Sequence, residues 1–156
     1  MKLEKLPFQI TLNSSFWKDP PKFEIRVNKE LVIDSALKES GVAETFSFSK
    51  EVVSDEQTFH SLEIILKDKD KYQTVVEGDK IIKDQLLIIE SLEIDYINLQ
   101  NVVYEQKYYP EYNPEYLEQN PNLPTYVKNT TTLGHNGRWE LLFTSPFYLW
   151  LLENLY

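Results

Sequence analysis

Apolar and polar residues alternate in twos along most of the first hundred positions. Phe8, Ile10 and Leu12 alternate with Gln9 and Thr11, the period of a strand with one buried face. Phe23, Ile25 and Val27 repeat the pattern against Glu24, Arg26 and Asn28, and Leu31–Ile33 follows at once. Asn28-Lys29 between them reads as a tight hairpin turn, because Asn tolerates the positive φ such turns demand. Phe46 and Phe48 mark another strand, His60, Leu62, Ile64 and Leu66 a fifth, and Leu86 to Ile97 a long sixth. Glu90 is an anomaly, since counting in twos puts it on the face of Leu86, Ile88, Leu92, Ile94 and Tyr96. A bulge that shifts the register costs less than a buried unpaired carboxylate, so a bulge is expected. Short alternating strands without a βαβ rhythm predict an all-β fold, an antiparallel β-sandwich of jelly-roll type, over residues 1–103.

Residues 104–128 change texture. Tyr104, Tyr108, Tyr109, Tyr112, Tyr116 and Tyr126 are interleaved with Pro110, Pro114, Pro121 and Pro124. Proline fixes φ and lacks an N–H, which argues against a regular central strand or a helix. Six tyrosines carry too much apolar surface for a disordered tail. The segment reads as an extended arm, laid along its own domain or along a neighbour.

Residues 129–156 read as a β-hairpin plus an apolar helix. Asn136-Gly137 is a favoured type I′ pair and would join Thr130–Leu133 to Arg138–Phe143, with Trp139, Leu141 and Phe143 on one face. Ser145-Pro146 supplies an N-cap and a first-turn proline for a helix from Phe147 to about Leu155. Its residues are apolar nearly all round, and a sandwich offers a helix only one face. Phe147, Trp150, Leu151 and Leu155 are therefore expected to dock on the core or on a partner, through self-association or another protein.

Sixteen Lys and Arg against 25 Asp and Glu give a net charge of −9, which disfavours a nucleic-acid partner. There is no cysteine, hence no disulfide, thiolate metal site or cysteine nucleophile. An acidic residue, Glu4, stands where a signal peptide would place its apolar core, and no run of 18 apolar residues could insert in a membrane. Catalysis lacks its usual signatures: no nucleophile elbow, phosphate loop or zinc motif is present. His60 is in register with core positions and His135 lies in a Gly-rich turn, where it is expected to be solvated. The chain is read as non-enzymatic.

Two binding chemistries remain. Residues 51–100 hold 12 acidic and 5 basic groups, either a solvated face or a cation site. Asp68 and Asp70 follow one strand and Asp84 precedes the next. Calcium takes six to eight oxygen ligands, commonly from such loops, although Lys67, Lys69 and Lys71 interleave these acids. Tyr108, Tyr109, Tyr112 and Tyr116, with Trp139 and nearby carboxylates, offer either rings for stacking on sugars or the anchors of a protein interface.

The stretch Phe23–Ile97 resembles the small calcium-dependent xylan-binding type of carbohydrate-binding module. The resemblance is carried by the Phe23–Ile33 hairpin, His60-Ser-Leu-Glu-Ile, Lys67-Asp-Lys-Asp and Asp84 through Asp95, with Tyr96 where the family usually has glycine. It implies a sandwich and calcium, with Asp68, Asp70 and Asp84 as the corresponding ligand positions. The whole chain, above all Tyr104–Tyr126, Leu133 to Trp139 and Ser145 to Leu155, looks like small proteins of tailed phages that infect cyanobacteria. That likeness implies a virion location and a structural or accessory role in capsid or tail. Partners would be other virion proteins or a second copy, with a host-surface glycan on the sandwich. The alternatives are a calcium-dependent carbohydrate-binding module and a carbohydrate-active enzyme.

Overall fold

A computed structural model describes residues 1–154. β1 (Leu3–Ser15), β2 (Lys22–Val27), β3 (Glu30–Ala36), β4 (Glu44–Val53) and β5 (His60–Lys67) follow one another in the first part of the chain. Next come the small hairpin β6 (Val75–Glu77) and β7 (Lys80–Lys83), then β8 (Leu86–Ile94) and β9 (Ile97–Asn98). After a 3₁₀ turn at Gln100–Glu105 the chain forms β10 (Lys107–Pro110), α1 (Pro114–Gln119), β11 (Thr132–Leu133), β12 (Gly137–Phe143) and α2 (Phe147–Asn154). No described helix is long and apolar enough to cross a membrane.

Two antiparallel sheets stack face to face. The first has the order β11-β8-β1-β4, with β9 attached to β8, and the second β10-β12-β5-β2-β3. The period-two pattern places the core as expected: Leu6, Phe8, Ile10 and Leu12 of β1 meet Phe23, Ile25, Leu62, Ile64, Trp139, Leu141 and Phe143 of the second sheet, all buried. Phe8 stacks on Phe48 at 4.9 Å and Phe23 meets Phe46 edge-on at 5.0 Å, so the aromatic positions of β4 also face inward. The all-β sandwich is what the alternation predicts.

Asn28 and Lys29 form the expected hairpin, both at positive φ. The bulge is also present, but its consequence is larger than counting in twos suggests. The β1–β8 register skips Glu90 between Thr11 and Leu12, so Leu87 and Ile89 enter the core before the bulge, and Leu92 and Ile94 after it. Leu86 and Ile88 lie half-buried. Glu90 is exposed and its Oε1 accepts from Asn13 Nδ2 at 3.2 Å.

Four expectations need correction. The long strand Leu86–Ile97 is broken after Ile94, because Asp95 and Tyr96 turn at positive φ and β9 folds back on β8. Thr130–Leu133 and Arg138–Phe143 are not a hairpin: β11 pairs with β8 in one sheet while β12 pairs with β5 and β10 in the other. Gly137 serves a close approach instead, since a Cβ there would sit 2.2 Å from the Tyr109 carbonyl oxygen. The arm is locally regular: β10 is a four-residue edge strand, and α1 tolerates Pro114 in its first turn behind the Asn113 cap. Finally, the division at residue 103 cuts through the sandwich, because β12 is inserted between β5 and β10.

Candidate functional site

The arm lies along its own chain. Strand alternation turns Tyr108 of β10 inward and Tyr109 outward. Tyr108 is 4% exposed and sits opposite Trp139, itself fully buried. Neither of these two predicted contact residues can reach an external ligand. Their large rings fill the end of the core, and burial raises the Tyr108 phenol above its ordinary pKa. That phenol donates to the His135 carbonyl and accepts from the His135 N–H at 3.0 Å.

Tyr109, Tyr112 and Tyr116 do reach the surface, joined by Tyr126. Val127 bridges to Tyr108 and thereby sets Tyr126 beside Tyr109, with ring centroids 6.0 Å apart. Arg138 stacks on Tyr109 at 4.1 Å, and Lys107 stands over Tyr126 at 4.6 Å. Register continues this strip across the second sheet: Lys107, Glu140, Glu63 and Arg26 form one row, and Tyr109, Arg138, Ile65 and Glu24 the next. Most of the charges are matched in place. Lys29 Nζ lies 3.1 Å from Glu63 and 3.5 Å from Glu140, while Lys67 bridges Glu24 and Asp34. Hydrogen bonds from Lys67 and Arg26 hold the Glu24 carboxyl below its usual range. The face carries matched ion pairs, with Glu63 buried beneath them, and tyrosine rings along one edge.

Tyr112 and Tyr116 form a separate cluster around His135, at 5.0 and 5.3 Å. His135 is therefore half-buried between rings instead of solvated. Burial, then the nearby Lys69 charge, lowers its pKa. His60 is the core histidine expected: Nε2 meets the Val53 carbonyl at 2.8 Å and Nδ1 the Asn28 amide at 3.0 Å.

The three predicted calcium ligands do not converge. Among the described residues no group of three carboxylate or imidazole side chains could hold a metal. Asp68 is exposed in a left-handed turn, and Asp70 caps the 3₁₀ turn at Lys71–Gln73 through the Tyr72 N–H at 2.8 Å. Asp84 Oδ1 is already engaged by Lys69 Nζ at 2.7 Å, by Thr74 Oγ1 at 2.7 Å and by the Gln85 N–H at 2.8 Å. Lys69 Nζ also donates to the Gly134 carbonyl, and its backbone is paired twice with the Asn136 side chain. The interleaved lysine thus fills the role of a local cation, and these residues do not fit a calcium cage.

The C-terminal helix is divided. Phe147, Trp150 and Leu151 turn inward and are at most 7% exposed. Phe143 packs on Phe147 at 5.6 Å and on Trp150 at 6.4 Å. Of the two expected surfaces, core or partner, these three residues take the core, because the open end of the sandwich accepts them. Leu155 lies outside the described residues. Ser145 is not a cap: its hydroxyl donates to Glu4 Oε1 at 2.6 Å, and that same oxygen accepts the Phe147 N–H at 3.0 Å.

No family model matches the chain, and no curated protein matches it. Two solved structures share its fold. One is vCBM60 in complex with galactobiose, at TM-score 0.53 and 7% identity, covering 86% of this chain and 95% of that one. The other is a selenomethionine form of vCBM60, described in work linking two families of calcium-dependent carbohydrate-binding modules by circular permutation, at TM-score 0.56 and 7% identity over 86% and 88%. At this identity the likeness establishes the sandwich fold.

Proposed function

We propose that this protein is a non-catalytic carbohydrate-binding module that grips glycan on the tyrosine-edged outer face of its second sheet. The observation that carries this is the outward pair Tyr109 and Tyr126, 6.0 Å apart and flanked by Lys107, Arg138 and Glu140. Tyrosine rings supply apolar faces for sugar C–H groups, and the adjoining charges supply hydrogen bonds that fix orientation. The fold shared with a galactobiose-bound module supports the same conclusion. A glycan array with wild type, Tyr109→Ala and Tyr126→Ala tests it. Weakened binding in both variants is expected; binding by wild type that both variants retain in full would move the site elsewhere.

A second role is favoured by the outer half of α2, where Tyr148, Leu149 and Leu152 remain 57, 40 and 41% exposed. That strip would anchor the module to a second copy or to another virion protein. Measuring mass in solution for wild type and Leu152→Glu tests self-association. A wild type that is monomeric at every concentration removes the second copy.

A further inference from the structure

We propose that the outer face of the first sheet carries a second saccharide subsite, a shallow depression beside Tyr96 that takes one ring of a neutral glycan. This rests on the carbohydrate-binding function proposed above. The depression has a volume of about 290 Å³ and is lined by Pro7, Gln9, Ser47, Ser49, Glu93 and Tyr96. Register assembles it: Pro7 lies opposite Ser49, and Gln9 lies between Ser47 on β4 and Glu93 on β8. Because Leu6, Phe8 and Ile10 are buried in the core, these alternate positions face outward.

Three features make it a site and not merely a stretch of polar sheet. The first is shape. Ser47 and Ser49 are short, so the surface dips between the longer side chains and the β8–β9 hairpin. A volume near the lower end of small-ligand pockets, roughly 300 Å³, suits a single pyranose or disaccharide end. The second is available polarity. Farther along the same face Thr11 bonds Thr45 and Asn13 bonds Glu90. By contrast, Gln9, Ser47, Ser49 and Glu93 have no side-chain partner within the chain among the described residues. One amide, two hydroxyls and one carboxylate are therefore free to donate to and accept from sugar hydroxyls. Glu93 is the one charged group among the six lining residues named above, which favours a neutral sugar over an acidic one.

The third feature is Tyr96 itself. It occupies the second position of a two-residue turn with Asp95, at φ +54° and +64° respectively. That position suits glycine, and a bulky side chain there is strained. The ring is 85% exposed, so packing does not compensate the strain. A strained, exposed aromatic at the mouth of a depression edged by free polar groups is explained by an external ligand, stacked on its face.

Titration of the full ¹⁵N-labelled chain with galactobiose, xylotetraose and cellotetraose tests the subsite. Amide shifts are expected at Gln9, Ser47, Ser49, Glu93 and Tyr96 with at least one sugar. Tyr96→Gly should weaken binding at these residues at least tenfold while raising the melting temperature, and Tyr109→Ala should leave these shifts unchanged. Ser47→Phe, which fills the depression without touching the turn, should give the same loss of binding. Shifts confined to Tyr109, Tyr126 and Arg138 would overturn the subsite and leave the module's function standing. Absence of shifts anywhere with all three sugars would overturn both, and a lowered melting temperature in Tyr96→Gly would make the ring structural.

Discussion

The Lys69 ammonium lies 2.7 Å from Asp84 Oδ1, and both side chains are more than four-fifths buried. Through Gly134 and Asn136 the same lysine ties the loop after β5 to the segment crossing between β11 and β12. It joins three separate stretches of backbone, as a bound metal ion does in a loop-rich sandwich. Chelator treatment is therefore expected to leave the melting temperature unchanged, and added calcium to produce no saturable heat by calorimetry. Lys69→Met should destabilise the chain by about 3 kcal/mol, because it strands a largely buried carboxylate. A chelator-induced fall in melting temperature would show that a metal, and not this lysine, holds the loops.

His135 gives the protein a pH dependence near neutrality. Burial and Lys69 depress its folded pKa below the usual 6.5, so the unfolded chain binds a proton first as pH falls. The His135 contribution to stability is expected to be present above the unfolded pKa and to be lost as pH falls from there toward the folded pKa. Denaturant unfolding at pH 7.5 and pH 6 should show this decline in wild type, and a smaller one in His135→Phe. Equal pH slopes in the two proteins would place the titrating group elsewhere.

Trp150 tests whether α2 belongs to the core. With 7% exposure and neighbours Phe143 and Phe147, Trp150→Ala leaves a cavity and should cost about 3 kcal/mol or more of folding stability. Leu152→Glu, on the outer face, should change stability by less than about 0.5 kcal/mol. If denaturation midpoints of the two variants coincide, the helix contributes no core packing.

Most of the sandwich was legible because alternation over Phe8–Leu12 and Phe23–Val27 reports a single buried face directly, whereas in His60–Leu66 the alternate positions Ser61 and Glu63 are buried as well. Pairing between distant strands was not legible. Asn136-Gly137 carries the local signature of a hairpin, yet Thr132 and Leu133 bond to Ile88 and Leu87, a choice made by core closure and not by turn chemistry. The apolar circumference of Phe147–Leu152 signalled a helix that docks, and one side does complete the core while Tyr148, Leu149 and Leu152 stay exposed; the sequence does not say how much room the sandwich end leaves. The tyrosine count located the arm, whereas inward and outward rings differ only by strand parity, which begins at Lys107 and could not be phased in advance. Asp68, Asp70 and Asp84 share a charge and not a location. At Tyr96 alternation reads straight on to Ile97 and hides the turn, and the one mark of it was a tyrosine where the resembling family usually has glycine.

Two positive-φ positions set opposite expectations for glycine. At Gly137, φ is +148° and an added Cβ would meet the Tyr109 carbonyl oxygen at 2.2 Å and the Pro110 Cα at 2.9 Å. Both obstacles are backbone, so relief requires parting β10 from β12. Gly137→Ala should therefore destabilise the fold by about 3 kcal/mol or more, beyond the ordinary range of surface substitutions. At Tyr96 the left-handed conformation costs a side-chain-bearing residue about 1 kcal/mol relative to glycine, and the exposed ring recovers little of it. Tyr96→Gly should stabilise by about that amount, less whatever entropy glycine adds to the unfolded chain. Urea unfolding of the two variants beside wild type checks both signs at once, and a destabilised Tyr96→Gly would mean that the ring packs on the hairpin more than its exposure indicates.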